Sequence, residues 1–274
     1  MLAALIIVFR EVIEAGMIVG IVAAVTKGVR GHGTWIAGGV LAGVIGSGFV
    51  AAFLGTIASA FSGRGNELFN AGILGIAVVM LGWHNIWMAR HGREMAIDLK
   101  QRGQDVAKGR ASLFGLATVI AIALLREGSE VVLFLFGVTV ADGGSPLALV
   151  TGGLGGLALG VLVSMLTYAG LVRIPPRYLF GVTSALIAFL AAGMAAQAIS
   201  FLEQGNIIQL SATVWNSSAL LSDRSIGGRI LHTLVGYNDR PSLTQLLVYL
   251  ATLAGIFGLA RVMTPQRSIR PTAA

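Results

Sequence analysis

Residues 2–25 read LAALIIVFREVIEAGMIVGIVAAV, and residues 112–140 read SLFGLATVIAIALLREGSEVVLFLFGVTV. Each run is long enough to cross roughly 30 Å of hydrocarbon as a helix. Each also carries the same polar insertion: Arg10-Glu11-Val12-Ile13-Glu14 in the first and Arg126-Glu127-Gly128-Ser129-Glu130 in the second. Six ionisable groups at the bilayer centre would cost about 2.5–3.5 kcal/mol each on insertion scales, on the order of 15–20 kcal/mol together if unpaired. A chain that accepts this cost twice holds a partner or a ligand for those groups.

Composition supports the membrane reading. Of 274 residues 55% are hydrophobic and only 11% charged, and glycine outnumbers proline 38 to 6, a balance too apolar for an average soluble globule. Polar residues fall in short islands between long apolar runs, which excludes the short alternating strands of a β-barrel. The net charge of +7 arises from basic residues in the inter-helix islands, so it reports topology and no nucleic-acid partner. The absence of cysteine removes disulfides, thiolate metal sites and iron–sulfur clusters, leaving oxygen and nitrogen as the only donors for a metal. Residues 1–9 lack the basic start of a secretory signal and run directly into Arg10, so they read as the beginning of the first span.

The expected fold is an all-α integral membrane protein with seven transmembrane helices, at about residues 2–25, 34–61, 68–89, 112–140, 146–170, 178–201 and 243–262. One set of alternate islands holds Lys27, Arg30, Arg90, Arg93, Lys100, Arg102, Lys108, Arg110, Arg173, Arg177, Arg261, Arg267 and Arg270, while the other holds only Arg64, Arg224, Arg229 and Arg240. By the positive-inside rule the N-terminus lies outside and the C-terminus in the cytoplasm. The motif helices, first and fourth, then run antiparallel, as in an inverted repeat of 3+3 helices with one extra C-terminal helix. The chain reads as a single polytopic domain: repeat 1 over about 1–90, a cytoplasmic connector over about 90–111, repeat 2 over about 112–201, an outer loop over about 202–242, and helix 7 over about 243–262. Inverted repeats place their substrate site near the midplane, where corresponding helices meet.

On a helix, residues three and four apart share a face, so Glu11 neighbours Glu14 and Arg10 reaches Glu14, with the same relations among Arg126, Glu127 and Glu130. Four carboxylates and two guanidiniums leave a formal charge of −2, attractive to a cation without prohibitive repulsion. Carboxylate oxygens are hard ligands that suit highly charged, hard cations, ferric iron among them, and suit copper(I) poorly. A single such motif would read as an intrahelical ion pair, and it is the second copy in an inverted position that points to transport.

At these residues the chain resembles the oxidase-dependent iron permeases, or high-affinity iron transporters, of bacteria and fungi. Their signature, R-E-G-x-E in the first and fourth of seven helices, stands here as FREVIEAG and LLREGSEVVLF. The stretches AAQAISFLEQGNI, TVWNSSALLSDRSIGGRILHTLVGY and RPSLTQLLVYL also resemble that family's C-terminal region. The resemblance implies a ferric iron permease of the cytoplasmic (inner) membrane that is not an enzyme and needs no cofactor. Glu11, Glu14, Glu127 and Glu130 would be its translocating ligands, supported by Arg10 and Arg126. It further implies an extracytoplasmic ferroxidase, or periplasmic iron-binding and electron-transfer components, as partner. Val12 stands where the family usually has glycine, which removes one small residue from the first motif, and Asn216 stands where an acid is expected.

Other residues have plainer readings. Gly39, Gly43, Gly152, Gly156 and Gly160 have the four-residue spacing of close helix packing. His84, between Trp83 and Trp87 near the inner end of the third helix, reads as part of an interfacial aromatic belt in preference to a group that assists metal release, and the scattered methionines read as core filling. Glu203 and Asp223, with His232 and Asp239, are candidates for an outer entry site. Residues 90–110 read as a solvated amphipathic connector. A membrane enzyme such as a lipid-pyrophosphate phosphatase is the competing class. It would need a phosphate-binding cluster, for which Ser222-Asp223-Arg224-Ser225 is the sole faint candidate.

Overall fold

The computed structural model describes residues 1–60, 66–142, 145–170, 176–223 and 225–263. Arg64, Arg173, Arg224, Arg267 and Arg270, which entered the charge-based orientation, lie outside the described residues. Among the described residues eight α-helices follow one another: α1 (Leu2–Val25), α2 (His32–Ala60), α3 (Asn66–Ala107), α4 (Leu113–Asp142), α5 (Pro146–Tyr168), α6 (Pro176–Gln204), α7 (Ile226–Val235) and α8 (Leu243–Met263). The only strand-like feature among the described residues is an isolated antiparallel bridge between Thr213 and Ser242.

Five segments are long and apolar enough to cross a membrane: His32–Ile57, Glu67–Met88, Pro146–Tyr168, Gly181–Gln204 and Leu243–Val262. α1 and α4, with 24 and 30 residues, have the length as well, but each carries three ionisable side chains. The bundle is apolar on its outside too. Phe49 and Phe53 of α2, Leu147, Leu154 and Met165 of α5, and Leu247 and Val262 of α8 are all exposed, as befits helices solvated by lipid.

Two apolar clusters set the helix directions. The first gathers Ala3 and Ile7 of α1, Leu74, Ala77 and Leu81 of α3, Phe134 and Val138 of α4, and Ile187, Ala191 and Met194 of α6. The second gathers Ile18 and Val22 of α1, Ile36 of α2, Leu99 and Val106 of α3, and Leu116, Ile120 and Leu124 of α4. α1 and α3 pass from the first cluster to the second and α4 passes from the second to the first, so α1 and α4 are antiparallel.

The closest pairings are α2 with α4 and α1 with α5, and glycine makes both possible. A Cβ at Gly39 would stand 2.6 Å from the Ala117 carbonyl oxygen, and one at Gly43 would stand 2.6 Å from Leu124 Cβ. On the other pair, a Cβ at Gly156 would stand 2.9 Å from Phe9 N and one at Gly160 would stand 2.7 Å from Val12 Cγ1. These four glycines and Gly152 are packing residues, as their spacing predicts. The register climbs together in both pairs, so α1 runs parallel to α5 and α2 parallel to α4.

Two elements differ from the sequence expectation. α3 is one helix of 42 residues that continues through the stretch expected to be a separate connector. Leu99 and Val106 are buried against α1 and α4 there, while Asp98 and Arg102 pair at 2.7 Å on the exposed face. The segment between α6 and α8, expected to be an outer loop, is also more structured than a loop. Ser225 caps α7 by accepting from Gly228 N at 2.9 Å, and Gly236 ends it at φ 66°. That left-handed turn sets Gly236 directly on Gly193 of α6, where a Cβ on either residue would lie within 3 Å of the other's Cα. Tyr249 of α8 donates to the Val235 carbonyl, and Tyr237 donates to the Leu221 carbonyl at 2.8 Å, so α7 is tied to α6 and α8.

Candidate metal centre

Along α1, Glu11 and Glu14 lie between Ile7 of the first apolar cluster and Ile18 of the second. Along α4, Glu127 and Glu130 lie between Leu124 of the second and Phe134 of the first. The polar residues therefore occupy the seam between two dry layers. Arg10, Glu11 and Glu14 are each 1% exposed, Glu127 is 3% and Glu130 is 7%. The four glutamates predicted as ligands are all brought to this seam.

A fifth residue joins them. His84 of α3, expected in an interfacial belt, is 3% exposed and stands between the two motifs. The aromatic residues flanking it misled the sequence reading, for Trp83 is exposed on the bundle surface while His84, one residue on, points inward. Its Nε2 lies 3.3 Å from Glu14 Oε2 and 3.8 Å from Glu11 Oε2. Its Nδ1 contacts Glu130 Oε2 and lies 3.4 Å from a terminal nitrogen of Arg126. Glu11, His84, Glu127 and Glu130 each offer a ligand atom within 4.8 Å of the others, an arrangement able to hold a metal ion.

The two arginines are not equivalent. Arg10 Nε lies 3.1 Å from Glu14 Oε1, and its terminal nitrogen lies 3.5 Å from Glu11 Oε1. Arg126 donates from Nε to Glu130 Oε1 at 3.0 Å, and its guanidinium stacks 4.4 Å over the Trp87 ring. Arg10 is fully enclosed, whereas the Arg126 side chain is 38% exposed. It faces a cavity of about 380 Å³ lined by Val79, Met80, Trp83, His84, Trp87, Arg126 and Glu130. This cavity meets the site from the side of the bundle, between α3 and α4.

These ion pairs do not satisfy the carboxylates. Both oxygens of Glu11, both of Glu14, Oε2 of Glu127 and Oε2 of Glu130 are buried without a well-formed hydrogen bond, as is Nε2 of His84. Buried carboxyl oxygens left in this state are costly, and a cation among them would relieve that cost. With His84 neutral, the four glutamates and two arginines give the site a formal charge of −2.

The first motif keeps its close helix contact despite Val12. In the second motif the small residue is Gly128, whose Cβ would collide with Ser47 of α2; in the first it is Gly160, on the partner helix, that makes room for Val12.

The residues proposed for an outer entry site are spoken for locally. Glu203, 6% exposed, accepts from Ser242 Oγ and from Gln245 Nε2, each at 2.7 Å, which fastens the end of α6 to the start of α8. Asp223 and Asp239 cap each other reciprocally: Asp239 N donates to Asp223 at 3.2 Å and Asp223 N donates to Asp239 at 3.3 Å. Burial and the neighbouring Asp239 charge push the Asp223 carboxyl above its ordinary value of 3.8, although the backbone hydrogen bond works the other way.

Comparison with known proteins gives the family. The family model for "Iron permease FTR1 family" matches residues 1–264. The chain is 33% identical over 271 residues to "Ferrous iron permease EfeU" of Escherichia coli O6:K15:H31 (strain 536 / UPEC), covering 96% of this chain and 95% of that one. It is 34% identical over 252 residues to the protein of that name from Shigella sonnei (strain Ss046), covering 89% of each. The Yersinia pestis protein, again of that name, is 30% identical over 268 residues, covering 96% of this chain and 93% of that one. No solved structure matches the chain. A match over nearly the whole length, together with helices of membrane-crossing length and composition, shows that this multi-pass membrane protein belongs to the iron permease FTR1 family.

Proposed function

We propose that the chain carries iron into the cell across the cytoplasmic (inner) membrane, and that Glu11, Glu14, Glu127 and Glu130 hold the ion in transit. The observation that carries this reading is the set of buried carboxylates converging from two antiparallel helices, with more acceptor oxygens than the two arginines and His84 can satisfy in good geometry. Arg10 and Arg126 hold Glu14 and Glu130 by one oxygen each and temper the repulsion that would otherwise push the carboxylates apart. The α7 end of the bundle faces outside, in keeping with the positive-inside count, and α1–α3 and α4–α6 are inverted repeats. The exchange of partners, α1 on α5 and α4 on α2, supports that symmetry.

An all-carboxylate set favours ferric iron, which a ferroxidase or periplasmic iron-binding and electron-transfer components would present at the α7 end. The relatives' printed name specifies ferrous iron, and an imidazole nitrogen among the carboxylates favours that ion, so ferrous iron crossing as such is the second reading. Radioactive iron uptake in cells tests both. Glu11→Ala and Glu127→Ala are expected to abolish uptake while membrane insertion stays normal, and unchanged uptake in both variants would overturn the reading. Uptake that persists when iron is kept reduced without oxygen would select the ferrous reading, and uptake that requires oxidation would select the ferric one.

The membrane-enzyme alternative finds little support. Ser225 caps α7, Asp223 is paired with the Asp239 backbone, and Arg224 lies outside the described residues.

A further inference from the structure

We propose that His84 is itself a ligand of the transported ion and sets which metals the site accepts. The inference rests on the glutamates being iron ligands, and it adds a donor of different chemistry from the one helix among α1, α3 and α4 that carries no motif. A neutral imidazole has one ring nitrogen donating and the other accepting, and an imidazolium donates from both. Both nitrogens of His84 face carboxylates of the two motifs, so an ion held by those carboxylates lies within reach of the ring. Its Nε2 is buried, lacks a well-formed hydrogen bond, and points between Glu11 and Glu14. Its Nδ1 is shared between Glu130 and Arg126. The ring thus spans the gap between the two carboxylate pairs, and its ligand atom falls in the same 4.8 Å cluster as those of Glu11, Glu127 and Glu130.

The site's symmetry sharpens the point. The paired motifs supply oxygens from both halves, whereas the four histidines of the chain are His32, His84, His91 and His232, and none lies on α6. One half therefore contributes a nitrogen that the other does not match. Imidazole is a borderline donor that suits divalent iron, cobalt and zinc, while carboxylates alone favour hard trivalent ions. Adding one nitrogen widens the site toward divalent ions without giving up its oxygens.

Zinc(II) and gallium(III) make a clean pair of probes, since both lack redox chemistry and differ chiefly in charge and hardness. With the full-length protein in lipid nanodiscs, His84→Gln is expected to weaken zinc binding tenfold or more and gallium binding, supplied as citrate, less than threefold. Equal losses for the two ions, or no loss for either, would overturn the assignment, because a packing role has no reason to distinguish them. X-ray absorption at the zinc edge provides a second readout that does not depend on that variant folding. In a chain carrying His32→Gln, His91→Gln and His232→Gln, His84 is the sole imidazole, and the spectrum is expected to show imidazole scattering from bound zinc. Zinc bound by oxygen alone would refute the proposal while leaving the glutamate site standing. Metal binding that ignores Glu11→Gln and Glu127→Gln would instead bring down the glutamate reading and this one with it.

Discussion

Glu11 and Glu127 occupy corresponding places in the two motifs, yet their surroundings predict opposite costs for the same neutral substitution. Glu11 faces Arg10 at 3.5 Å. Glu127 has no ion pair among the described residues, and its Oε2 is buried without a hydrogen bond. With both side chains ionised, Glu11→Gln and Glu127→Gln each remove one negative charge at almost constant volume. At an effective permittivity of about 20, unit charges 3.5 Å apart attract by about 4.7 kcal/mol, and like charges 4.8 Å apart repel by about 3.5 kcal/mol. Both variants gain from relief of carboxylate repulsion, but only Glu11→Gln gives up the attraction to Arg10, which still keeps Glu14. The ion-free Glu127→Gln protein should therefore be at least as stable as the parent, and more stable than Glu11→Gln by on the order of 1–4 kcal/mol after relaxation. If both hold the ion as proposed, each variant should lose iron uptake by at least tenfold, since each exchanges one carboxylate oxygen for an amide nitrogen that cannot bind a cation. The assay is thermal unfolding of the metal-free protein in detergent, read as loss of the monodisperse peak, alongside uptake in cells. If Glu127→Gln unfolds as early as Glu11→Gln, the assignment of Glu127 as the unpaired carboxylate of the site is wrong.

Gly160→Ala should weaken the α1–α5 contact, because the new methyl would stand 2.7 Å from Val12 Cγ1, at a cost of about 1–3 kcal/mol; adding Val12→Gly should recover most of it, a coupling that a double-mutant cycle on thermal stability measures. Glu203→Ala strips Ser242 Oγ and Gln245 Nε2 of their buried acceptor and should destabilise the protein by about 1–3 kcal/mol for each donor left unpaired, with uptake by the surviving folded protein unchanged; uptake lost at normal abundance would restore Glu203 as an entry ligand. Asp223 titrates above its ordinary 3.8 in the folded chain, so between that value and its folded one the native state holds more protons than the unfolded state. Stability of the outer segment should therefore fall as pH rises through this window. Asp223→Asn should flatten that dependence, measured as amide-exchange protection of residues 222–239 corrected for intrinsic rates.

The motif glutamates were legible because a carboxylate inside an apolar run has so few tolerable explanations, and two runs with one pattern leave fewer. The glycine stripes were legible for a similar reason, since spacing of four on a membrane helix has a single geometric meaning. His84 was not. Its contacts with Glu11 and Glu130 join residues far apart in sequence on different helices, and nothing local separates a histidine that faces a site from one that faces a headgroup. Nor was the length of α3, for residues 90–107 are polar enough to read as a connector. Only tertiary packing of Leu99 and Val106 against α1 and α4 shows why the helix persists. Val12 taught a related lesson: the missing small residue reappears across the interface as Gly160, where the motif alone does not look.

Exchange of partners between the halves also constrains how the protein can move. If residues 1–90 rocked as a body against 112–201, the α1–α5 and α2–α4 interfaces would both part, and in both of them glycine brings backbone against backbone. Close-packed interfaces of this kind resist gradual deformation, so motion that opens the site should carry α1 with α5 and α2 with α4, sliding both pairs against α3 and α6. The absence of native cysteine makes this testable by crosslinking. A Cβ at Gly152 would lie 3.1 Å from Ala4 Cβ but would also collide with the Met1 carbonyl oxygen, and one at Gly137 would lie 3.1 Å from Ala77 Cβ but also 2.5 Å from Met194 Cε; both pairs are slightly inside the usual disulfide spacing of about 3.5–4.5 Å and need the start of α1 and the Met194 side chain to shift, so each reduced variant serves as its own control. The first pair joins α1 to α5 and the second joins α4 to α3. Oxidised Ala4→Cys/Gly152→Cys is expected to keep transporting, whereas oxidised Ala77→Cys/Gly137→Cys is expected to stop until reduced. Both pairs bridge residues 1–90 to 112–201, so rigid halves would be arrested by either, and a reversible block by the α1–α5 crosslink would refute paired movement.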